Sequence, residues 1–370
     1  MIKENISENN DLFQALEPWP DNVPGAELAD EIKTTFEKYL FLPDGASIAL
    51  TLWVLHTYAP DCFDFTPRIC ISSPEKRCGK TTLLSLLEHL SFKVINASNI
   101  TASAMFRAVE MWGPTILIDE ADTFLKGNTD LCGAINAGYQ KGGKITRTEQ
   151  IGKQLIPKNF NCFAPCAIAS IGYIPETILD RGFVITMKRK TKTENKESLR
   201  AREIKPVAVD IQRKCLRFMA DNAETISDAR PIMPARFNDR AADVWEPLFA
   251  IASVISPQWL QKTEQAAITL VNEQAAEDVE SVRIQLLQDI KRVFKHTGEN
   301  SLPSEVLVDM LRKIEGSPWA DWNNGHGFTV HALARQLRYF KLASIQRRED
   351  GWRARRYNLK DFQDTFARYL

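Results

Sequence analysis

The sequence predicts an α/β fold: a parallel sheet flanked by helices that carries a phosphate-binding loop. Three observations predict it. Residues 68–84 read RICISSPEKRCGKTTLL, an apolar strand, a loop ending Cys78-Gly79-Lys80-Thr81 and a helix start, which is the build of a P-loop. Residues 115–118, TILI, form a second apolar strand that closes on Asp119-Glu120. Between residues 68 and 187, strand-length apolar runs alternate with helix-length ones, and that alternation implies parallel strands.

In such a loop, inward-turned backbone N–H groups meet a β-phosphate, and the following helix adds the positive end of its dipole. The residues offered to a nucleotide are Pro74, Glu75, Lys76, Arg77, Cys78, Gly79, Lys80, Thr81 and Thr82. Lys80 is placed to neutralise β- and γ-phosphate oxygens, and the Thr81 hydroxyl to ligate the magnesium ion that bridges them. Gly79 lets the backbone approach closely. The pattern G-x-x-x-x-G-K-[ST] wants glycine where this chain has Pro74, so an ordinary helix start is the competing reading. The apolar strand before the loop and the run TLLSLL after it favour the loop. At the end of the second strand Asp119 would hold magnesium, while Glu120 would polarise the water that attacks the γ-phosphate. A solvated turn is the alternative there. The cofactors expected are ATP and Mg, with GTP not separable from ATP by sequence.

A chain of 370 residues, 44% hydrophobic and 25% charged, suits two or three globular domains. No run of 18 apolar residues occurs, and MIKENISENNDLF lacks the apolar centre of an export signal, so a cytoplasmic protein without a membrane partner is expected. Seven cysteines without a C-x-x-C pair are read as reduced core thiols rather than a disulfide or zinc framework. Net charge is formally zero, but residues 1–50 are strongly acidic and residues 331–370 strongly basic. The basic end suggests a polyanion partner, the acidic start a solvated helical face.

In chain order, residues 1–64 form an acidic helical N-terminal extension, with helices over Ala26 to Tyr39 and Gly45 to Tyr58. Residues 65–190 form the P-loop core: strand 68–73, helix 80–90, strand 92–97, helix 101–111, strand 115–118, helix 129–139, strand Cys166 to Ser170, a short helix from Pro175 to Asp180 and strand Gly182 to Met187. The charged stretch KRKTKTENKESLRAREIK after Met187 reads as a surface linker or exposed helix start without chemistry. Residues 191–275 carry helices over Val207 to Asn222, Ala235 to Ala252 and Gln258 to Ala275, and residues 276–370 carry helices near 277–297, 303–314 and 329–341. SIQRREDGWRARRYNL follows, with Glu349-Asp350-Gly351 as a hairpin turn. Three helices and a hairpin make a winged helix. Arg335 and Arg338 on a helix, with Arg347, Arg348, Arg353, Arg355 and Arg356 on the wing, would hold DNA phosphates. A protein-docking winged helix is the alternative.

The phrases SSPEKRCGKTTLL, ILIDEADTFL, INAGYQKGGKITR, CAIASIG, IPETILDRGFVITMKRK and NDRAADVWEPLFAIA, spread over about residues 65–260, resemble an uncharacterised P-loop domain of phage, prophage and plasmid proteins, often fused to toprim-type primases. The core is also similar to AAA+ ATPases and superfamily 3 helicases. That resemblance implies a helical lid for residues 191–275. It implies a γ-phosphate sensor on the strand after Asp119, for which Ser170 is the candidate, and an arginine finger reaching the neighbouring subunit's nucleotide, for which Arg181 in LDRGF is the candidate. An ion pair of Arg181 with Asp180 or Glu176 is the plainer reading. Arg240, near a helix start, would be the lid arginine that reports on bound nucleotide; a surface pair with Asp239 is its alternative.

KGGKITRTEQIGKQLIPKNFN, with five cations to one acid, has the length of a β-hairpin. Similar hairpins in superfamily 3 and MCM-like helicases grip a phosphate backbone, so Lys144, Arg147 and Lys153 are expected on nucleic acid. Arg147 is equally suited to nucleotide, and a solvated loop is the other reading. The function expected is a Mg-dependent, AAA+-like ATPase acting as an oligomeric DNA helicase or remodeller in mobile-element replication, on single-stranded or forked DNA. A hexamer is among the ring forms open to it, and a primase or effector among its partners. Two alternatives stand beside it: a nucleotide-dependent regulatory or defence switch that acts on a protein, and a sequence-specific DNA-binding regulator whose P-loop is structural.

Overall fold

The computed structural model describes residues 12–370, apart from residues 76, 124, 153, 172–173, 192–193, 316, 321, 323–325 and 350–351 and the side chains of 151, 277–281, 347–349 and 352–353. The chain divides into two compact units, residues 1–272 and 273–370.

In the first unit, helix α1 (Gly25–Tyr39) starts directly after Pro24 and turns Leu28, Ala29, Ile32 and Phe36 inward. Every residue of α2 (Ala46–His56) is buried. A helix so apolar has no solvent face. Its core is shared with α3 (Lys80–Leu90), α7 (Ala201–Asp228), α8 (Asp239–Ile255) and the first part of α9 (Pro257–Thr297). Contact is close enough that a Cβ at Gly25 would lie 2.6 Å from the Phe218 ring, and one at Gly45 2.8 Å from the Ala266 backbone.

The sheet consists of β1 (Arg68–Ser73), β2 (Val94–Ala97), β3 (Thr115–Ile118), β6 (Cys166–Ile171) and β7 (Gly182–Thr186), in the order β2-β3-β6-β1-β7 and parallel throughout. Helices cover both faces, so its strands are continuous apolar runs rather than alternating ones. Side-chain alternation still sorts β1: Ile69 and Ile71 join the core of α1, α2 and α3, whereas Cys70 joins the opposite core with Ile116, Ile118 and Ile168. That second core is closed by α4 (Ala102–Trp112) and α5 (Thr129–Ala137). The short helix α6 (Glu176–Leu179) leads into β7.

Between α5 and β6 the chain leaves the sheet as a hairpin, β4 (Lys144–Ile151) with β5 (Gln154–Asn161). It lies along α4, with the Phe160 ring tilted against Phe106 at 4.7 Å and Glu149 2.8 Å from the Arg107 guanidinium.

Arg68 opens β1 fully buried and donates to the carbonyls of Ala164 at 2.5 Å and Ile135 at 2.7 Å. Burial pulls its pKa below the ordinary arginine value. Nearby, Trp53 Nε1 donates to Pro67 O at 2.8 Å and His56 Nε2 lies 2.9 Å from the Thr66 hydroxyl. These bonds tie α2, the end of α5 and the approach to β6 to the foot of one strand.

In the second unit, α9 from Leu286 onward packs with α10 (Ser304–Arg312), α11 (Val330–Arg338) and α12 (Leu359–Tyr369). Trp319 Nε1 donates to the buried Asp289 carboxylate at 2.8 Å. Strands β8 (Ser301–Pro303), β9 (Ile345–Glu349) and β10 (Trp352–Asn358) make an antiparallel sheet ordered β8-β10-β9.

Several elements differ from the sequence expectation. The two helices expected over 258–275 and 277–297 are one 41-residue helix, since neither glycine nor proline interrupts 258–297. Helix α7 starts at Ala201, inside the charged stretch, and carries Pro206 within its second turn. Strand β8 is too short for a period of two to register. Helix α12 was not anticipated, although Phe362 and Phe366 are spaced i, i+4 and both are buried. The hairpin turn expected at Asp350-Gly351 lies outside the described residues.

Two outcomes test this packing. A Cβ at Gly182 would lie 2.2 Å from Arg68 O, whereas one at Gly133 on α5 meets nothing within 4 Å. In thermal or urea unfolding, Gly182→Ala should lose about 2 kcal/mol or more, and Gly133→Ala should match or exceed wild type by up to about 1 kcal/mol. The second concerns His56, which burial, reinforced by the Arg68 charge, lowers to about 3. The unfolded chain therefore takes up a proton below its ordinary pKa of about 6.5 while the folded chain does not. Stability should fall from about pH 6.5 toward pH 3, by up to about 1.4 kcal/mol per pH unit from this group. Urea unfolding of His56→Gln should show a flatter acid limb, and identical pH slopes would contradict the assignment.

Candidate functional site

At the carboxyl end of β1, Ser73 accepts a hydrogen bond from the Lys80 ammonium and donates to Glu75 O at 2.7 Å. Cys78 Sγ donates to the same carbonyl at 3.3 Å. These bonds draw Glu75 and Cys78 together beside the strand end, with the first turn of α3 following. Gly79 has φ +87°, and a Cβ there would lie 3.3 Å from Met187 Cε and 3.4 Å from Leu40 Cδ2. Arg77 also takes a positive φ of 68°. Lys76 lies outside the described residues.

Two strands away, Asp119 N continues the ladder by donating to Ala97 O at 3.1 Å. Its carboxylate accepts from Glu120 N at 2.8 Å. Glu120 sits at φ +52°, a region that non-glycine residues enter at a cost and that clusters at functional sites. On β6, between β1 and β3, the end residues Ser170 and Ile171 bond to Asp122: Ile171 N donates at 3.1 Å and the Ser170 hydroxyl at 3.4 Å.

A single cavity of about 510 Å³ is lined by Arg77, Cys78, Gly79, Lys80, Thr81 and Thr82 together with Asp119, Glu120 and Ser170. The volume suits a small-molecule ligand. Pro74 and Glu75 are exposed beyond its lining, and Glu75 faces Arg189 at 3.8 Å. Sequence reasoning missed part of the wall. Asp122 gave no motif signal, and neither did Ser73, which is buried behind the wall under Lys80. Lys188, Lys190 and Lys196 come from the stretch read as a linker, and Tyr39, Leu40 and Phe41 come from the end of α1.

Arg181 and Arg240 do not line this cavity. They share another, of about 520 Å³, with Tyr139, Lys141, Gly143 and Lys144. Arg181 donates to Thr177 O at 2.6 Å instead of pairing with Asp180 or Glu176, and Arg240 bonds Asp180 at 3.2 Å and Asp243 at 3.8 Å rather than Asp239. Both guanidinium groups sit over the Tyr139 ring, at 6.0 and 5.5 Å. Burial pushes the Tyr139 phenol up to about 12. Arg240 therefore lines the cavity of Arg181 and not that of Lys80, and its pair with Asp180 joins the start of α8 to the turn before β7.

Lys144 and Arg147, three residues apart on one strand, project to opposite faces of the hairpin. Arg147 turns toward α4 and α5, 5.9 Å from the Phe106 ring and 3.3 Å from Asp130, while Lys144 is exposed beside Arg181. Lys153 lies outside the described residues. In the second unit Arg335 and Arg338 are exposed on α11, and Arg355 on β10. Arg356 is half-buried and clamps β8, donating to Ser301 Oγ at 3.1 Å and Ser301 O at 2.8 Å. The side chains of Arg347, Arg348 and Arg353 are outside the described set.

Residues 186–369 match a family model described as "Protein of unknown function (DUF3631)". The chain is 28% identical over 186 residues to an uncharacterized 28.9 kDa protein in the xis 5' region of Saccharopolyspora erythraea, covering 50% of this chain and 68% of that one. Among solved structures, the C-terminal region of NrS-1 in its apo A form aligns over 94% of this chain and 79% of that one, with 17% identity and a TM-score of 0.35. A full-length MCM homolog from Methanopyrus kandleri aligns over 67% of this chain and 60% of that one, with 11% identity and a TM-score of 0.39. None of the seven cysteines forms a disulfide, and among the described residues no helix is long and apolar enough to cross a membrane.

Asp122 offers a local test. Asp122→Ala removes the acceptor of Ile171 N and should lower stability by about 1–2 kcal/mol in thermal unfolding, whereas Asp122→Asn, which keeps a side-chain oxygen, should stay close to wild type.

Proposed function

We propose that this chain is a Mg-dependent P-loop ATPase of the AAA+ type, working as an oligomeric helicase or remodeller on single-stranded or forked DNA. One observation carries the reading: Lys80 and Thr81 after β1 and the Asp119-Glu120 pair after β3 face the same cavity at the carboxyl edge of a parallel sheet. Ligands of open parallel sheets bind at that edge. The insertion of β6 between the two strands agrees with the additional-strand arrangement of AAA+ proteins, and it sets Ser170 between the loop and the carboxylates.

The donor set fits a magnesium nucleotide. Among the described residues no group of three His, Cys, Asp or Glu side chains could hold a metal alone, as suits an ion bound through one or two protein ligands, phosphates and water. Thr81 and Asp119 would be those ligands. Bound magnesium supplies charge neutralisation on the phosphoryl oxygens. Lys80, held at the loop by Ser73, presents a point charge to β- and γ-oxygens. Glu120 orients and deprotonates the attacking water, and Ser170, fixed through Asp122, marks the position of the γ-phosphate.

Arg181 and Arg240 lie outside their own chain's site, so we assign them to the nucleotide of a neighbouring subunit. α7, α8 and the first part of α9 make the lid. In the second unit, α9, α10 and α11 followed by β9 and β10 make a winged helix in which Arg335, Arg338 and Arg355 contact phosphates. Arg356 is assigned to holding β8 rather than to DNA.

Glu120→Gln should bind ATP and hydrolyse it roughly a hundredfold or more slowly, and Arg181→Ala should lose about a thousandfold. Mixing the two variants in equal amounts should restore turnover, because some interfaces then join an intact Glu120 to an intact Arg181. Absence of recovery would contradict the trans arrangement. Turnover per subunit should also rise with protein concentration and with added single-stranded DNA.

A further inference from the structure

We infer that Lys188 and Lys190 are phosphate-binding residues of this site, and that through them the segment between β7 and α7 senses whether the bound nucleotide carries a γ-phosphate. The inference rests on the nucleotide reading above. Lys188 and Lys190 line the same cavity as Lys80 and Asp119, and so does Lys196. With Arg77 and Lys80 they set five cations against three carboxylates, and Asp122, one of the three, is committed to Ser170 and Ile171. A surplus of cations around a concave site draws a multiply charged anion.

The segment is anchored at both ends. Met187 N donates to Ser72 O at 2.8 Å, and its methyl lies beside Gly79 of the loop. Lys196 Nζ donates to Glu37 O at 2.5 Å, near the end of α1. Between these anchors Arg189 turns to Glu75, while Lys188 and Lys190 on either side of it are exposed on the cavity and form no ion pair among the described residues. A flexible ammonium is a suitable probe of an added phosphate, since it follows charge without demanding fork geometry. The segment feeds directly into α7, which begins at Ala201, so a γ-phosphate that draws these lysines inward acts on the first helix after the sheet. With Arg240 committed to the other cavity, the structure gives this cis role to the linker.

The test measures equilibrium affinity of the full chain for ATPγS and for ADP with magnesium, in wild type, Lys188→Gln/Lys190→Gln, Lys188→Arg/Lys190→Arg and Lys80→Ala. The glutamine pair should weaken ATPγS about tenfold with ADP near wild type, and the arginine pair should restore the preference. Unchanged affinities in the glutamine pair overturn the inference, and an equal loss for both nucleotides overturns γ-phosphate sensing. In either case Lys80→Ala must still lose binding. If wild type binds neither nucleotide, or Lys80→Ala is without effect, the nucleotide reading itself fails and takes the inference with it.

Discussion

The parallel pairing of β1 between β6 and β7 is the constraint on which the rest of the first unit depends. Arg68 to Ser72 pair with Cys166 to Ser170 on one side and with Gly182 to Thr186 on the other. The loop before α3, the end of β6 and the segment after β7 therefore emerge at one edge. A slip of one residue would exchange Cys70 with its isoleucine neighbours between two different cores. At the opposite end the buried Arg68 guanidinium fixes the strand, since its carbonyl partners on α5 and before β6 would be left unsatisfied without it. The chemistry at one edge is thus positioned by polar packing at the other.

Charge is divided between two cavities in a way that local sequence does not announce. Near Lys80 the cations come from the loop and from the stretch after β7, whereas Arg181, Arg240, Lys141 and Lys144 gather around Tyr139. A cavity rich in guanidinium groups, away from its own chain's carboxylate pair, is suited to an anion brought by another molecule.

What the sequence made legible was whatever depends on local chemistry. Gly79-Lys80-Thr81 and Asp119-Glu120 are short motifs with fixed offsets from apolar strands, and the strands were readable because β-branched runs buried on both faces have no polar interruption. Asp122 and Ser73 were not readable, since their roles depend on which strand lies beside which. Lys188, Lys190 and Lys196 were hidden by composition: a charged run reads as plain surface until the fold shows that it borders a cavity. Opposite faces for Lys144 and Arg147 followed from strand periodicity once the hairpin was placed. Strand β8 and the clamp from Arg356 needed the partner strand. Helix α12 was missed, although Phe362 and Phe366 carry the i, i+4 spacing of its buried face.

The central claim is that the groups at positions 80 and 81 and those at 119 and 120 serve one metal-bound triphosphate. Calorimetric titration of ATPγS into the full chain, with and without magnesium, tests it most directly. One nucleotide should bind per chain, with a magnesium-dependent gain in affinity that disappears in Asp119→Asn and no binding in Lys80→Ala. The same affinity in all three proteins, with no effect of magnesium, would contradict it.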